Sequence, residues 1–178
     1  MSQEVKTPAL ILQRYPFRER SWIIRLHTPK EGTISTLLSG RRGAAILPGA
    51  LMQVCLRLRP TREVQRLTEI EWHYMYRRFF HEPAHTAYLF LIVEWLNQCL
   101  YGPDPLLFDW VRNQLIELDS AENPELSTRN LLSELLCRLG GSPPPSSASL
   151  PDIEKAYQAF FPYWKPIRSL NLTTFASL

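Results

Sequence analysis

Two arginine pairs define the chemistry this sequence can offer. Arg41 and Arg42 stand between Gly40 and Gly43, so two guanidiniums sit on a loop whose backbone can bend at both ends. Arg57 and Arg59 alternate with Met52, Val54, Leu56 and Leu58, which places both on the face of a strand opposite its apolar side. A guanidinium presents a planar fork of N–H donors that matches phosphate oxygens two at a time, and it stacks on flat rings. Arg14, Arg18, Arg20 and Arg25 extend the set, with Tyr15, Phe17 and Trp22 among them. The pattern points to a polyanion, and the interleaved aromatics to one that carries bases. Each feature has a plainer explanation: a solvated loop tip for Arg41 and Arg42, an edge charge against aggregation for Arg57 and Arg59, core packing for the aromatics.

Other chemistry finds little support. The three cysteines, Cys55, Cys99 and Cys137, are far apart and form no CxxC pair, which argues against a disulfide framework or a cysteine zinc site. His81 and His85 are four apart, but Pro83 lies between them and no third ligand is evident, so no metal or other cofactor is expected. GxSxG, P-loop and HExxH motifs are missing. Glu69 and Glu71 share a strand face, which reads as a solvated surface. No catalytic residue is expected.

The charge is lopsided. Residues 1–80 hold fourteen Lys and Arg against six Asp and Glu, and residues 81–178 hold six against eleven, within a net charge of +3. Twelve of those fourteen cations are arginine. A basic front and an acidic back suggest a polyanion-binding half and a half with a different task. The longest apolar run, Ala87–Val93, is too short to span a bilayer, and the first residues lack the apolar stretch of a signal peptide. The expectation is a soluble, cytoplasmic protein.

The elements that must position the arginines follow from pattern. Residues 1–7 read as a loose lead-in and Ala9–Arg14 as a short, central strand, with Pro16 placing a turn over Tyr15–Arg20. Ser21–Thr28 alternates Trp22, Ile24 and Leu26 against Ile23, Arg25 and His27. Gly32, able to take positive φ, closes a hairpin into a strand over Thr33–Ser39. Further strands are expected near Ala50–Arg59 and Gln65–Tyr74. Beyond Tyr76 the apolar spacing becomes helical. Pro83 opens a helix to about Tyr101. Asp104–Pro105 opens another to about Leu118, and Asn123–Pro124 a third to Leu139, where Gly140–Gly141 stops it. Residues 142–149 read as a Pro/Ser linker before a short helix to about Phe161.

Five short strands with turns every ten residues or so predict a small closed barrel of the OB type, whose face and loops commonly hold oligonucleotides. The fold class is therefore α+β: a five-stranded, DNA-binding OB-fold barrel over residues 1–78, then an α-helical domain over residues 79–178.

The order of these segments resembles the RecO family of bacterial recombination and repair proteins. The similarity runs through ALILQRYPFRERSWIIRLHTPKEGTISTLLSGRRG, ILPGALMQVCLRLRP and the helical stretches FFHEPAHTAYLFLIVEWLNQCL, DPLLFDWVRNQLIELD and RNLLSELLCRLGGSPP. The four-cysteine zinc site of some members has no counterpart here. The resemblance implies a non-enzymatic mediator that binds single- and double-stranded DNA, anneals complementary strands and helps load recombinase on coated single strands. It implies RecR and the C-terminal tail of single-stranded-DNA-binding protein as partners, a nucleoid-associated location, and DNA contacts at Arg41 and Arg42. The alternative is a protein-interaction module whose barrel does not touch DNA.

Overall fold

The computed structural model describes residues 3–40, 43 and 45–168. Its strands are β1 (Gln3–Phe17), β2 (Ser21–Thr28), β3 (Gly32–Ser39), β4 (Leu51–Leu58) and β5 (Val64–Tyr74), followed by α1 (Pro83–Cys99), α2 (Pro105–Asp119), α3 (Pro124–Arg138) and α4 (Leu150–Phe160). The strands close into a barrel in the order β1-β2-β3-β5-β4, with β3 and β5 parallel and the other pairs antiparallel. This is the expected OB-type barrel followed by helices. By contacts, the chain divides into two compact units: Met1–Met75 with Cys99–Arg112, and Tyr76–Gln98 with Asn113–Leu178.

The first strand differs from expectation. It is 15 residues long and takes in both the lead-in and the stretch read as a turn. Its first half, Gln3–Leu10, pairs with β4, and its second half, Leu10–Phe17, pairs with β2. Only Leu10 is shared, so each half has one side without a ladder partner. Pro8 lies in the first half and Pro16 in the second. A proline is tolerated in a strand that has an unpaired side for its missing N–H, and each half offers one. A register shift between Ile11 and Gln13 marks a bulge at Leu12. Ala9–Leu12 is buried throughout, with Ala9 and Ile11 in the barrel core.

The barrel interior is the apolar set the alternation predicts. Ile11, Ile24, Leu26, Leu38, Met52, Val54, Leu56 and Leu67 form one buried cluster, with Trp22, Ile34, Leu58 and Ile70 packed against it. Gln53, Cys55 and Arg57 on β4 point outward between them and are only partly covered. On the outer side, His27, Thr33 and residues 100–108 belong to the same unit. Thr33 Oγ1 donates to the Leu100 carbonyl at 2.7 Å, and the Thr33 N–H donates to the Tyr101 carbonyl at 2.7 Å. Gly32 has φ +68°, and a Cβ there would lie 2.5 Å from Tyr101 O, so both conformation and space require glycine.

In the second unit Trp95, Tyr157, Phe161 and Trp164 stack in one aromatic cluster, and the Tyr157 hydroxyl donates to the Leu132 carbonyl at 2.8 Å. Backbone N–H groups of Lys165, Ile167 and Arg168 donate to Gln98, Glu154 and Glu94, which fastens the stretch after α4. The sequence-stated caps are present: Leu107 N–H donates to Asp104 Oδ1 at 2.9 Å, and Leu126 N–H to Asn123 Oδ1 at 3.0 Å. Residues 142–147 contain no helix or strand, but Ala148 is buried and its N–H donates to the Pro145 carbonyl at 2.8 Å.

Candidate nucleic-acid interface

The ladder registers settle where the arginines fall. The β1–β2 turn and the segment after Ser39 lie at one end of the barrel, because Phe17 pairs with Ser21 and Ser21 with Ser39. The β2–β3 and β4–β5 turns lie at the other, because Leu58 pairs with Gln3 and the start of β5 pairs with Ser35. Arg14, Arg18 and Arg20 therefore belong to the first end, and Arg57, Arg59, Arg62 and Arg66 to the second. Arg25 stands on the outer wall of β2 between them, opposite Gln13 and Ser35. The single patch suggested by the sequence is in fact two clusters, one at each end. Alternation alone gives the face of a strand and not the end of the barrel to which it runs, which is why the sequence did not separate them.

Arg41 and Arg42 lie outside the described residues. Their surroundings are visible at Gly40 and Gly43. Gly40 has φ +99°, and its N–H donates to the Arg20 carbonyl at 2.7 Å, which ties this loop to the β1–β2 turn. Gly43 is buried against the Trp22 ring, where no Cβ would fit. From the sequence, both flanking glycines serve bending of the loop; at Gly43 packing on Trp22 also requires one.

Arg14 reaches back over this contact. Its Nη1 donates to the Gly43 carbonyl at 3.2 Å, and its guanidinium carbon lies 5.2 Å from the centre of the Trp22 ring. Trp22 is half-buried on the barrel core, so it is more core than stacking platform. Tyr15 and Phe17 are exposed at 47% and 37%, and Arg18 lies over the Phe17 ring. Trp72, 42% exposed, lines a shallow cleft with Ala45 and Ile46 of the segment after Ser39.

At the far end Arg57 stands directly opposite Arg66. Arg57 is held by Glu4, opposite it on β1, with Nε donating to Glu4 Oε1 at 3.0 Å. Among the described residues, Arg59, Arg62 and Arg66 have no carboxylate within ion-pairing distance. Gln65, missed in the sequence, organises the turn. Its Oε1 accepts from the Arg59 N–H at 2.7 Å, and its Nε2 donates to the carbonyls of Arg59 and Arg62. Further along the same outer wall the charge is mixed: Lys6 pairs with Glu71 at 3.9 Å, and the Cys55 thiol faces Glu69 at 3.4 Å. Partial burial and the Glu69 carboxylate push that thiol above its usual range. The positive charge on the outer side of β4 is thus at its end, on Arg57 and, just beyond it, Arg59.

Among the described residues no group of three or more His, Cys, Asp or Glu is arranged to hold a metal, and no helix is long and apolar enough to cross a membrane. His85 is engaged by Glu82 at 3.0 Å and by the Ala121 carbonyl at 3.0 Å.

A five-stranded barrel closed in this order, followed by helices, defines an α+β protein with an OB-type N-terminal domain, with arginine at its β1–β2 and β4–β5 turns. Residues 1–76 match the family model described as "Recombination protein O N terminal", a span that includes all five strands. The match covers the barrel and likens that part of the chain to the N-terminal domain of recombination protein O. No curated protein matches the chain.

Proposed function

We propose that this protein is a non-enzymatic DNA-binding mediator that holds single- and double-stranded DNA on its barrel, anneals complementary strands and helps load recombinase on coated single strands. The observation that carries this is the placement of unpaired arginines at both ends of one barrel wall. Among the described residues Arg18 and Arg20 stand at one end, Arg59 and Arg62 at the other, and Arg25 lies along β2 between them. A strand laid across β2 and β3 meets cations at entry and exit, and OB barrels bind oligonucleotides across that wall. Annealing follows from charge. Two DNA strands repel, and guanidiniums that neutralise phosphates of both lower that repulsion so that bases can pair. RecR, the C-terminal tail of single-stranded-DNA-binding protein and a cytoplasmic, nucleoid-associated location complete the proposal.

The test is an anisotropy titration with single-stranded DNA across a salt series. The expected result is binding that weakens steeply with salt, with a slope that Arg41→Ala/Arg42→Ala reduces by about one unit per lost phosphate contact. An unchanged slope removes that loop from the site. No binding at low salt leaves the barrel as a protein-interaction module.

A further inference from the structure

The β4–β5 end holds more than loose cations. Arg57, Arg59, Arg62 and Arg66, with Val64 and Gln65, line a cleft of about 190 Å³ that has no carboxylate in its wall. Beside it lies a second cleft of about 650 Å³, lined by Gln3, Glu31, Ile34, Leu58, Pro60 and the shared Arg59 and Gln65. The first is a dense positive pocket. The second has an apolar floor of Ile34, Leu58 and Pro60 with a polar rim, within the size range of small-ligand sites.

Two features mark the pocket as built for an anion. The first is an unrelieved repulsion: Arg57 and Arg66 are direct cross-strand neighbours, a pairing that costs stability for like charges, and Glu4 offsets only Arg57. The second is rigidity. Gln65 clamps the backbone of Arg59 and Arg62, and the Arg62 N–H closes the turn on the Arg59 carbonyl at 3.0 Å. The guanidiniums hang from a fixed frame, which lowers the ordering cost of binding. Three arginines without an ion pair suit a doubly charged group better than the single charge of a backbone diester, and a terminal phosphate carries about two negative charges at neutral pH.

We propose that this end binds a nucleotide by its terminal phosphate monoester, the phosphate in the four-arginine cleft and the base on the Ile34–Leu58–Pro60 floor. The ligand is the end of a DNA strand or a free nucleotide. The strand-end form rests on the barrel being a DNA-binding surface; the pocket itself does not.

A competition assay tests it. A fluorescent oligothymidylate is bound to the whole protein and displaced by unlabelled oligothymidylates carrying a 5′-phosphate, a 3′-phosphate or neither. The expected result is about tenfold stronger competition by one of the phosphorylated forms. Arg62→Gln/Arg66→Gln, both exposed, should erase that preference, with Arg59→Gln as the second variant. Equal competition by all three overturns the strand-end form while leaving the proposed DNA binding intact. Thymidine 5′-diphosphate is then titrated against thermal melting. A rise in Tm that Arg62→Gln/Arg66→Gln abolishes supports a free nucleotide as ligand. No rise, together with equal competition, overturns the pocket altogether. If the fluorescent strand does not bind at all, the DNA-binding proposal fails, and the diphosphate titration alone decides the pocket.

Discussion

Arg57 on β4 and Arg66 on β5 face each other across an antiparallel ladder, and Glu4 on β1 faces Arg57 from the other side. Three strands thus carry an acid–base–base row over the outside of the barrel. An exposed ion pair contributes about 0–1 kcal/mol, so Glu4 does not hold the barrel together; the buried apolar cluster does. What Glu4 controls is how much of the positive charge at this end is free.

That separation of roles gives the first prediction. Glu4→Gln should leave Tm almost unchanged and tighten single-stranded DNA binding, with the salt slope steeper by about one unit because Arg57 becomes available to a phosphate. Anisotropy across a salt series reads both. A Tm drop with no change in slope would mean that the pair is structural and that Arg57 does not meet DNA.

Gly32 is constrained twice, by φ +68° and by the Tyr101–Pro103 backbone within 3 Å of where a Cβ would stand. Gly32→Ala must either shift that backbone or break the Thr33–Tyr101 hydrogen bond. The expected cost is about 1–3 kcal/mol, read as a lower Tm. Gly40→Ala is a useful contrast, since its Cβ would meet nothing within 4 Å and only the conformational cost at φ +99° remains.

Much of this architecture is legible in the chain because its signals are local. Ser21–Thr28 is read to the residue from strict alternation, and Asp104 and Asn123 announce their helices because a cap is a contact three residues long. The end of the first strand is misread because Pro16 is a local signal with a non-local answer: whether a proline breaks a strand depends on which side of it is paired. Asp119 shows the same limit. It reads as the end of a helix, but 41 residues earlier in sequence lie the N–H groups it was placed to receive. The two-ended distribution of arginines was unreadable for a related reason, since it depends on which strands close the barrel.

Asp119 carries the next prediction. Its buried carboxylate accepts from the N–H groups of Arg77, Arg78 and Phe79 at 2.7, 3.0 and 2.9 Å. Three donors converge on two oxygens, and an amide in their place would turn an N–H₂ toward N–H groups. Asp119→Asn should therefore cost about 2–4 kcal/mol, seen as a lower Tm in thermal melting. Because all four residues lie in the second unit, DNA affinity of the folded protein should stay at the wild-type value.

His27 makes the protein sensitive to acid. Thr33 Oγ1 donates its proton to the Leu100 carbonyl, so the 2.9 Å contact with His27 Nδ1 requires the ring to donate there. In the neutral ring Nε2 is then the unprotonated nitrogen, and it is buried without a partner beside Phe108, whose ring stacks on it. Burial drives the pKa from 6.5 down to about 4, against a smaller opposing pull from the Asp104 carboxylate. The folded-state value is the lower one, so between pH 6.5 and 4 the unfolded chain binds a proton that the folded chain refuses, and stability falls as pH falls through that window. From pH 7 to pH 5 the loss attributable to this residue is about 2 kcal/mol. Thermal melting of wild type and His27→Gln at both pH values checks it. The variant starts with a lower Tm at pH 7, having lost the ring's packing, but its further drop at pH 5 should be smaller than that of the wild type. Equal drops in the two proteins would show that the folded protein takes up a proton at His27 as readily as the unfolded chain does, and this account of the acid sensitivity would fail.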